Sequence, residues 1–181
     1  MNATIVSNLY DEFNELLSFL KTQNEISFQV TIDDNFRKNL LLAAASFFEN
    51  EISNHVRKFV KKTTNNNELV FLFLENTAID RKYHTWFDWR SGSANSFFAK
   101  FGDDFKNFMK DKIKNDINIS IAIKSFIEIG DQRNRLVHQN FAAYSLEKTA
   151  AEIYDLYVAA KPFVEHFPLY LQEFLNNRPT N

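Results

Sequence analysis

Arg133, Asn134 and His138 are the residues of this chain whose types and spacing can do chemistry together. They fall within Arg133-Asn134-Arg135-Leu136-Val137-His138, near the end of an apolar-periodic run that starts at about Ile119. A histidine that titrates near neutrality can take or give a proton, and a fixed guanidinium charge can stabilise the oxygens of a crowded phosphorane. The metal-free reaction that suits such a set is RNA cleavage by attack of the ribose 2′-hydroxyl. That reaction moves two protons, because the leaving 5′-oxygen also needs one. One histidine per chain is thin for both transfers, and a symmetric dimer that joins two copies of the motif would supply the second.

The element that must position these groups is a helix running from Ile119 to about Gln139, with Asn118 able to cap it. At about 100° per residue, Phe126, Ile129, Leu136 and Val137 define an apolar arc. Arg133 projects into the middle of that arc, Asn134 and His138 share its edge, and Arg135 points away. A guanidinium in apolar surroundings requires a buried carboxylate, a subunit interface or an anionic ligand such as phosphate. In the purely structural alternative, Arg133 pairs with a core carboxylate and His138 with a backbone carbonyl.

Other chemistries find little support. Histidines stand at 55, 84, 138 and 166, none of them three or four residues from another and none in an H-E-x-x-H setting, so no metal site is expected. His55 and His166 read as helix-surface or satisfied core residues, and His84 as a weak second polar candidate. Three glycines supply no phosphate loop, nucleotide fingerprint or nucleophile elbow, and no cofactor is expected. Asp103 and Asp104 serve as a cap and first-turn charge rather than a catalytic pair. Lys106, Lys110 and Lys114 form a stripe at four-residue spacing that could track phosphates, although Asp111 and Asp116 dilute it into a solvated face. Trp86 and Trp89, with Arg90, could stack bases but more often such residues close a core.

The remaining chain reads as helices. Leu9, Phe13, Leu16, Leu17 and Leu20 form one stripe of a first helix over Val6 to Lys21. From Gln23 to Thr31 apolar and polar residues alternate, which predicts an extended connector. A long central helix follows over Phe36 to Lys62, and its basic end at Arg57, Lys58, Lys61 and Lys62 suits the negative helix pole. Short apolar pieces at Glu68 to Leu74 and from Thr77 or Asp80 to Phe87 precede a short helix at Asn95 to Phe101 and another from Asp103 to Asn115. Ser145 is expected to cap a last long helix over Leu146 to Phe167, kinked at Pro162 and ended by Pro168, before a short turn at Leu169 to Leu175 and a polar tail.

Length and composition agree with this reading. A chain of 181 residues with three Gly and three Pro is expected to form a single all-α domain spanning 1–181. Twenty Phe suit thick helix packing or a large interface, so a homodimer is expected. The absence of Cys excludes disulfide scaffolds and fits a reducing cytoplasm. No apolar run is long enough for a membrane span, and Met1-Asn2-Ala3-Thr4 does not begin a signal peptide. A net charge of -2 argues against non-specific coating of nucleic acid, though a local basic groove remains open.

The pattern Arg-Asn-x-x-x-His late in an all-α chain resembles the signature of the HEPN superfamily. Ala44-Ala45-Ser46-Phe47-Phe48-Glu49 in a long early helix and Asn95-Ser96-Phe97-Phe98-Ala99-Lys100-Phe101-Gly102 mid-chain are similar to the RiboL-PSP or MAE_28990-like branch. The resemblance implies a HEPN-type helical bundle with long central helices and short extra ones. It implies a dimer whose paired motif helices form a composite cleft with metal-independent ribonuclease activity, in toxin-antitoxin modules, antiphage defence or RNA-targeting stress responses. Carried over by position, Arg133 would stabilise phosphate charge, His138 would transfer protons and Asn134 would orient the phosphate or the histidine. Arg135, which the helical period points away from the arc, is a bystander or a peripheral phosphate contact. Some HEPN toxins carry Tyr two residues after the His, where this chain has Asn140, which puts adenylylation there in doubt. The alternative is a non-catalytic HEPN-like module that binds RNA or a partner protein, as an antitoxin or scaffold.

Overall fold

Helix order follows from where side-chain caps and apolar stripes fall along the chain. The computed structural model describes residues 4–141 and 143–177; the first three residues and the polar tail beyond Asn177 lie outside the described residues. Thr4 caps α1 (Ile5–Thr22), its hydroxyl accepting from the Ser7 amide at 3.1 Å. α2 (Ile26–Thr63) is the long spine. The short α3 (Glu68–Leu74) runs into a π-helical turn at Glu75–Ile79, and α4 (Tyr83–Trp86) and α5 (Asn95–Phe98) are single turns. α6 (Asp103–Asn115), α7 (Ile117–His138) and α8 (Ala150–Asn176) complete an all-α architecture with no strand among the described residues.

α7 lies along α8, and α2 packs across both. Their shared interior is aromatic. Phe126 sits 5.6 Å from Phe48 and 5.2 Å from Phe163, while Phe48 stacks on Tyr157 at 5.2 Å. Phe87, Phe97 and Trp86 extend this layer beneath the α4 and α5 turns, with Phe87 and Phe97 4.6 Å apart. Each such ring removes about 150–250 Å² from water, so these contacts fix the position of α7 against the rest of the bundle.

Several boundaries differ from the sequence expectation for physical reasons. The stretch expected as an extended connector is mostly helix, because α2 begins at Ile26. Once Phe36 stacks on Phe13 at 3.5 Å the helix is nucleated, and extending it by further turns costs little. Ile26, Phe28 and Val30, whose alternation suggested an extended chain, are exposed. Thr149 rather than Ser145 caps α8, in a capping box in which its hydroxyl and Glu152 satisfy one another's backbone amides. α8 continues through both Pro162 and Pro168 to Asn176. Burial of Tyr170 and Leu171, and Phe174 packing 5.3 Å from Phe105, outweigh the roughly 3 kcal/mol cost of a proline within a helix. Asp116 rather than Asn118 caps α7, accepting from the Asn118 amide at 2.8 Å. The helix expected to reach Phe87 is instead broken, with Arg81 at φ 56 between the π turn and α4.

Two cations hold the segment that follows α7. Arg37 donates to the Leu146 carbonyl at 2.8 Å, and the buried Lys38 ammonium pairs with Asp34 at 2.9 Å while donating to the Phe141 carbonyl at 3.2 Å. The chain leaving His138 is thereby tied back to α2.

Candidate functional site

The last two turns of α7 carry the motif, and the packing beneath them explains their placement. Ile129, Gly130 and Leu136 are buried. Gly130 is required by its neighbour: a Cβ there would fall inside the Trp89 ring, against Cε3 and Cζ3, and 2.9 Å from Cδ2. Trp89 can therefore lie flat on the α7 backbone, with its indole N–H donating to the His84 carbonyl at 3.2 Å. Trp86 makes the matching bond to the Ala78 carbonyl at 3.1 Å. Both indoles are closure elements of the core, and the base-stacking role considered from the sequence has no exposed ring face to use.

Arg133 is half-buried, as its place in the apolar arc predicts, and Nη1 donates to Asn134 Oδ1 at 3.3 Å. Among the described residues, no Asp or Glu forms an ion pair with it. No close ion pair therefore holds the guanidinium, although the Glu49 carboxylate lines the same depression. Val137, expected in the same arc, is 43% exposed because the final turn of α7 overhangs the core. His138 is exposed at the helix end. Arg135 faces away from the core and is paired with Asp131 at 2.9 Å.

Two adjoining depressions organise these residues. The inner one leaves only about 10 Å³, at most one water's space, and is lined by Phe48, Glu49, Tyr83, His84, Trp89, Arg133 and Asn134 among others. The outer one is an open cleft of about 760 Å³ bounded by Asp88, Trp89, Arg90, Asn134, Arg135 and His138. Trp89 and Asn134 line both, so the motif forms the partition between them. Lys106, Lys110 and Lys114 line neither; they lie on α6, where Lys106 pairs with Asp103 at 3.4 Å. The structure does not bring that lysine stripe to the motif.

His84, a weak second polar candidate from the sequence, lies beside the motif. Its Nε2 lies 3.6 Å from Glu49 Oε2, on the rim of the inner depression. Burial holds its pKa below the usual histidine value; Glu49 opposes this, while the charges of Arg133 and His138 lower it further. Tyr83 beside it is pushed well above the usual phenol range by burial and by Glu49, with Arg133 opposing, and so stays neutral. Glu49, His84 and Arg133 come from α2, α4 and α7, and no local spacing links them. Among the described residues, no three His, Asp or Glu side chains gather to hold a metal ion.

The family model for RiboL-PSP-HEPN matches residues 7–173, most of the chain. The chain belongs to the RiboL-PSP-HEPN family. The match contains every helix that builds the site, from α2 with Glu49 through α7 with the motif, and it agrees with the all-α architecture. No curated protein and no solved structure matches the chain. Membership of this HEPN family points to a nuclease or RNA-related role. Among the described residues, no helix is long and apolar enough to cross a membrane.

Proposed function

We propose that this RiboL-PSP-HEPN protein is a metal-independent endoribonuclease that cuts RNA by attack of the ribose 2′-hydroxyl on the adjacent phosphate. The observation that carries the reading is the half-buried Arg133, which has no ion-pair partner among the described residues and lines the inner depression with Asn134, which in turn lines the outer cleft with His138. The guanidinium fork matches two non-bridging phosphate oxygens once the inner depression, with room for one water at most, opens to the ligand. Asn134, already bonded to Arg133, holds that fork in place and orients the phosphate. His138, exposed at the open cleft, transfers a proton at one of the reacting oxygens.

The acting unit we propose is a homodimer in which two α7 ends face one another across a shared cleft. Exposed apolar side chains flank the motif, Val137 at 43% and Phe141 at 40%, and their burial against a second copy would enclose the RNA between two motif helices. An RNase that needs no cofactor has to be restrained in its own cell, so the setting we propose is cytoplasmic, as a toxin or antiphage effector held by a regulatory partner protein.

The test is cleavage of RNA in EDTA with analysis of the new ends. Wild type should yield 2′,3′-cyclic phosphate and 5′-hydroxyl ends, and His138→Ala and Arg133→Ala should be folded and inactive. Binding of RNA without such ends would point instead to a non-catalytic RNA-binding module.

A further inference from the structure

The proposed reaction moves two protons, yet the Arg-Asn-x-x-x-His motif brings one histidine. The structure places a second titratable histidine against the same residues. His84 borders the inner depression with Arg133 and Asn134, and His138 borders the outer cleft with Asn134. The two imidazoles therefore flank one partition within a single chain. His84 is oriented from several sides: Glu49 faces its Nε2 at 3.6 Å, the Tyr83 ring meets it edge-on at 5.5 Å, and its own carbonyl is held by the Trp89 indole. The side chain is 41% exposed, so it is open to a ligand at the rim.

We propose that His84, oriented by Glu49, is a second catalytic residue of this site, accepting the proton of the attacking 2′-hydroxyl while His138 of the same chain protonates the leaving 5′-oxygen. The inference rests on the ribonuclease reading above and divides its labour. The proton passes from O2′ to the His84 imidazole as the O2′–P bond forms. The P–O5′ bond breaks and O5′ takes the proton from the His138 imidazolium, leaving a 2′,3′-cyclic phosphate and a 5′-hydroxyl. The groups facing His84 are Glu49 from α2, Tyr83 from α4, and Arg133 and His138 from α7. Burial, with Arg133 and His138 nearby, lowers the His84 pKa from its usual value and so favours the neutral imidazole that can accept a proton, while Glu49 opposes this and steadies the imidazolium once it forms. Proton transfer is then complete within one chain, and a second copy contributes the opposite wall of the cleft.

Single-turnover cleavage in EDTA tests this, using an RNA with the ordinary 5′-oxygen and a matched RNA whose 5′-bridging oxygen is sulfur, a leaving group that needs no proton. His84→Ala should lower the cleavage rate by about 10²–10⁴-fold with little change in KM, and should lose the acidic limb of the pH profile. The sulfur substrate should restore His138→Ala and leave His84→Ala slow. His84→Asn should behave like His84→Ala, and both should keep the wild-type thermal midpoint. If His84→Ala and His84→Asn cleave within about threefold of wild type while Arg133→Ala and His138→Ala are inactive, the ribonuclease reading stands and the His84 assignment is overturned. Restoration of His84→Ala by the sulfur substrate also overturns it. If Arg133→Ala and His138→Ala cleave normally, or wild type cleaves none of a total cellular RNA pool, the ribonuclease reading falls and this inference with it.

Discussion

Gly130→Ala should be destabilising, although alanine is normally the better helix residue. The added methyl would occupy the Trp89 ring at Cε3 and Cζ3, so either the indole moves or α7 does. The indole is not free to slide, because its N–H is bonded to the His84 carbonyl and its ring packs 4.7 Å from Phe87 and 5.7 Å from Tyr83. Overpacking of this kind costs about 1–3 kcal/mol where the surroundings give way. Full ejection of the ring would return roughly 150–250 Å² to water, about 4–6 kcal/mol at 25 cal/mol per Å². The helix gain of alanine over glycine offsets about 1 kcal/mol of either figure. The expected net loss by urea denaturation is up to about 2 kcal/mol where the surroundings give way and about 3–5 kcal/mol if the ring is ejected, with a shift in tryptophan emission as Trp89 meets solvent. Adding Trp89→Leu should recover part of the loss in a double-mutant cycle. A Gly130→Ala protein as stable as wild type, with unchanged emission, would refute the packing argument that places Trp89 between His84 and the motif.

Other expectations follow from caps and charges. Thr149→Ala removes the hydroxyl that bonds the Glu152 amide and should cost about 1 kcal/mol in denaturant unfolding; a loss below experimental error would show that the α8 start is held by other means. Acidification tests the histidines. Burial is the main cause holding both His55 and His84 below the usual value; the opposing charges are Glu51 and Glu49, and Lys58, Arg133 and His138 act with burial. A lowered folded pKa means that the unfolded chain binds more protons in acid, so this stability is intact above about pH 6.5 and is lost as the pH falls below it. The thermal midpoint should therefore fall between about pH 7 and pH 5.5, and fall less in His55→Gln/His84→Gln; equal declines would contradict the assignment.

Some of this molecule was legible in its sequence, and the division has physical causes. Arg133, Asn134 and His138 sit within one turn and a half of one helix, so their angular relation follows from the helical period alone, and the structure places Arg133 half-buried as that period predicts. Glu49 and His84 meet only because α2 and the α4 turn converge on α7, a tertiary fact that no local spacing encodes. Ile26, Phe28 and Val30 misled because alternation in a short stretch fits a strand, whereas their helix is an extension of one nucleated further along the chain. Pro168 misled because a proline cost of a few kcal/mol is smaller than the aromatic burial beyond it. Gly130 left a readable trace: a lone glycine inside an apolar helix run, with no turn around it, marks a close approach, and here the approaching group is the Trp89 ring.

Arg133 and His138, as proposed above, cut RNA without a metal ion. The most direct measurement of this is the end chemistry of RNA incubated in EDTA with wild type, Arg133→Ala and His138→Ala, each shown to be folded by circular dichroism. Wild type should give 2′,3′-cyclic phosphate ends, and each variant should lose at least about 100-fold in rate. Equal rates for all three proteins, or cleavage that EDTA abolishes, would contradict it.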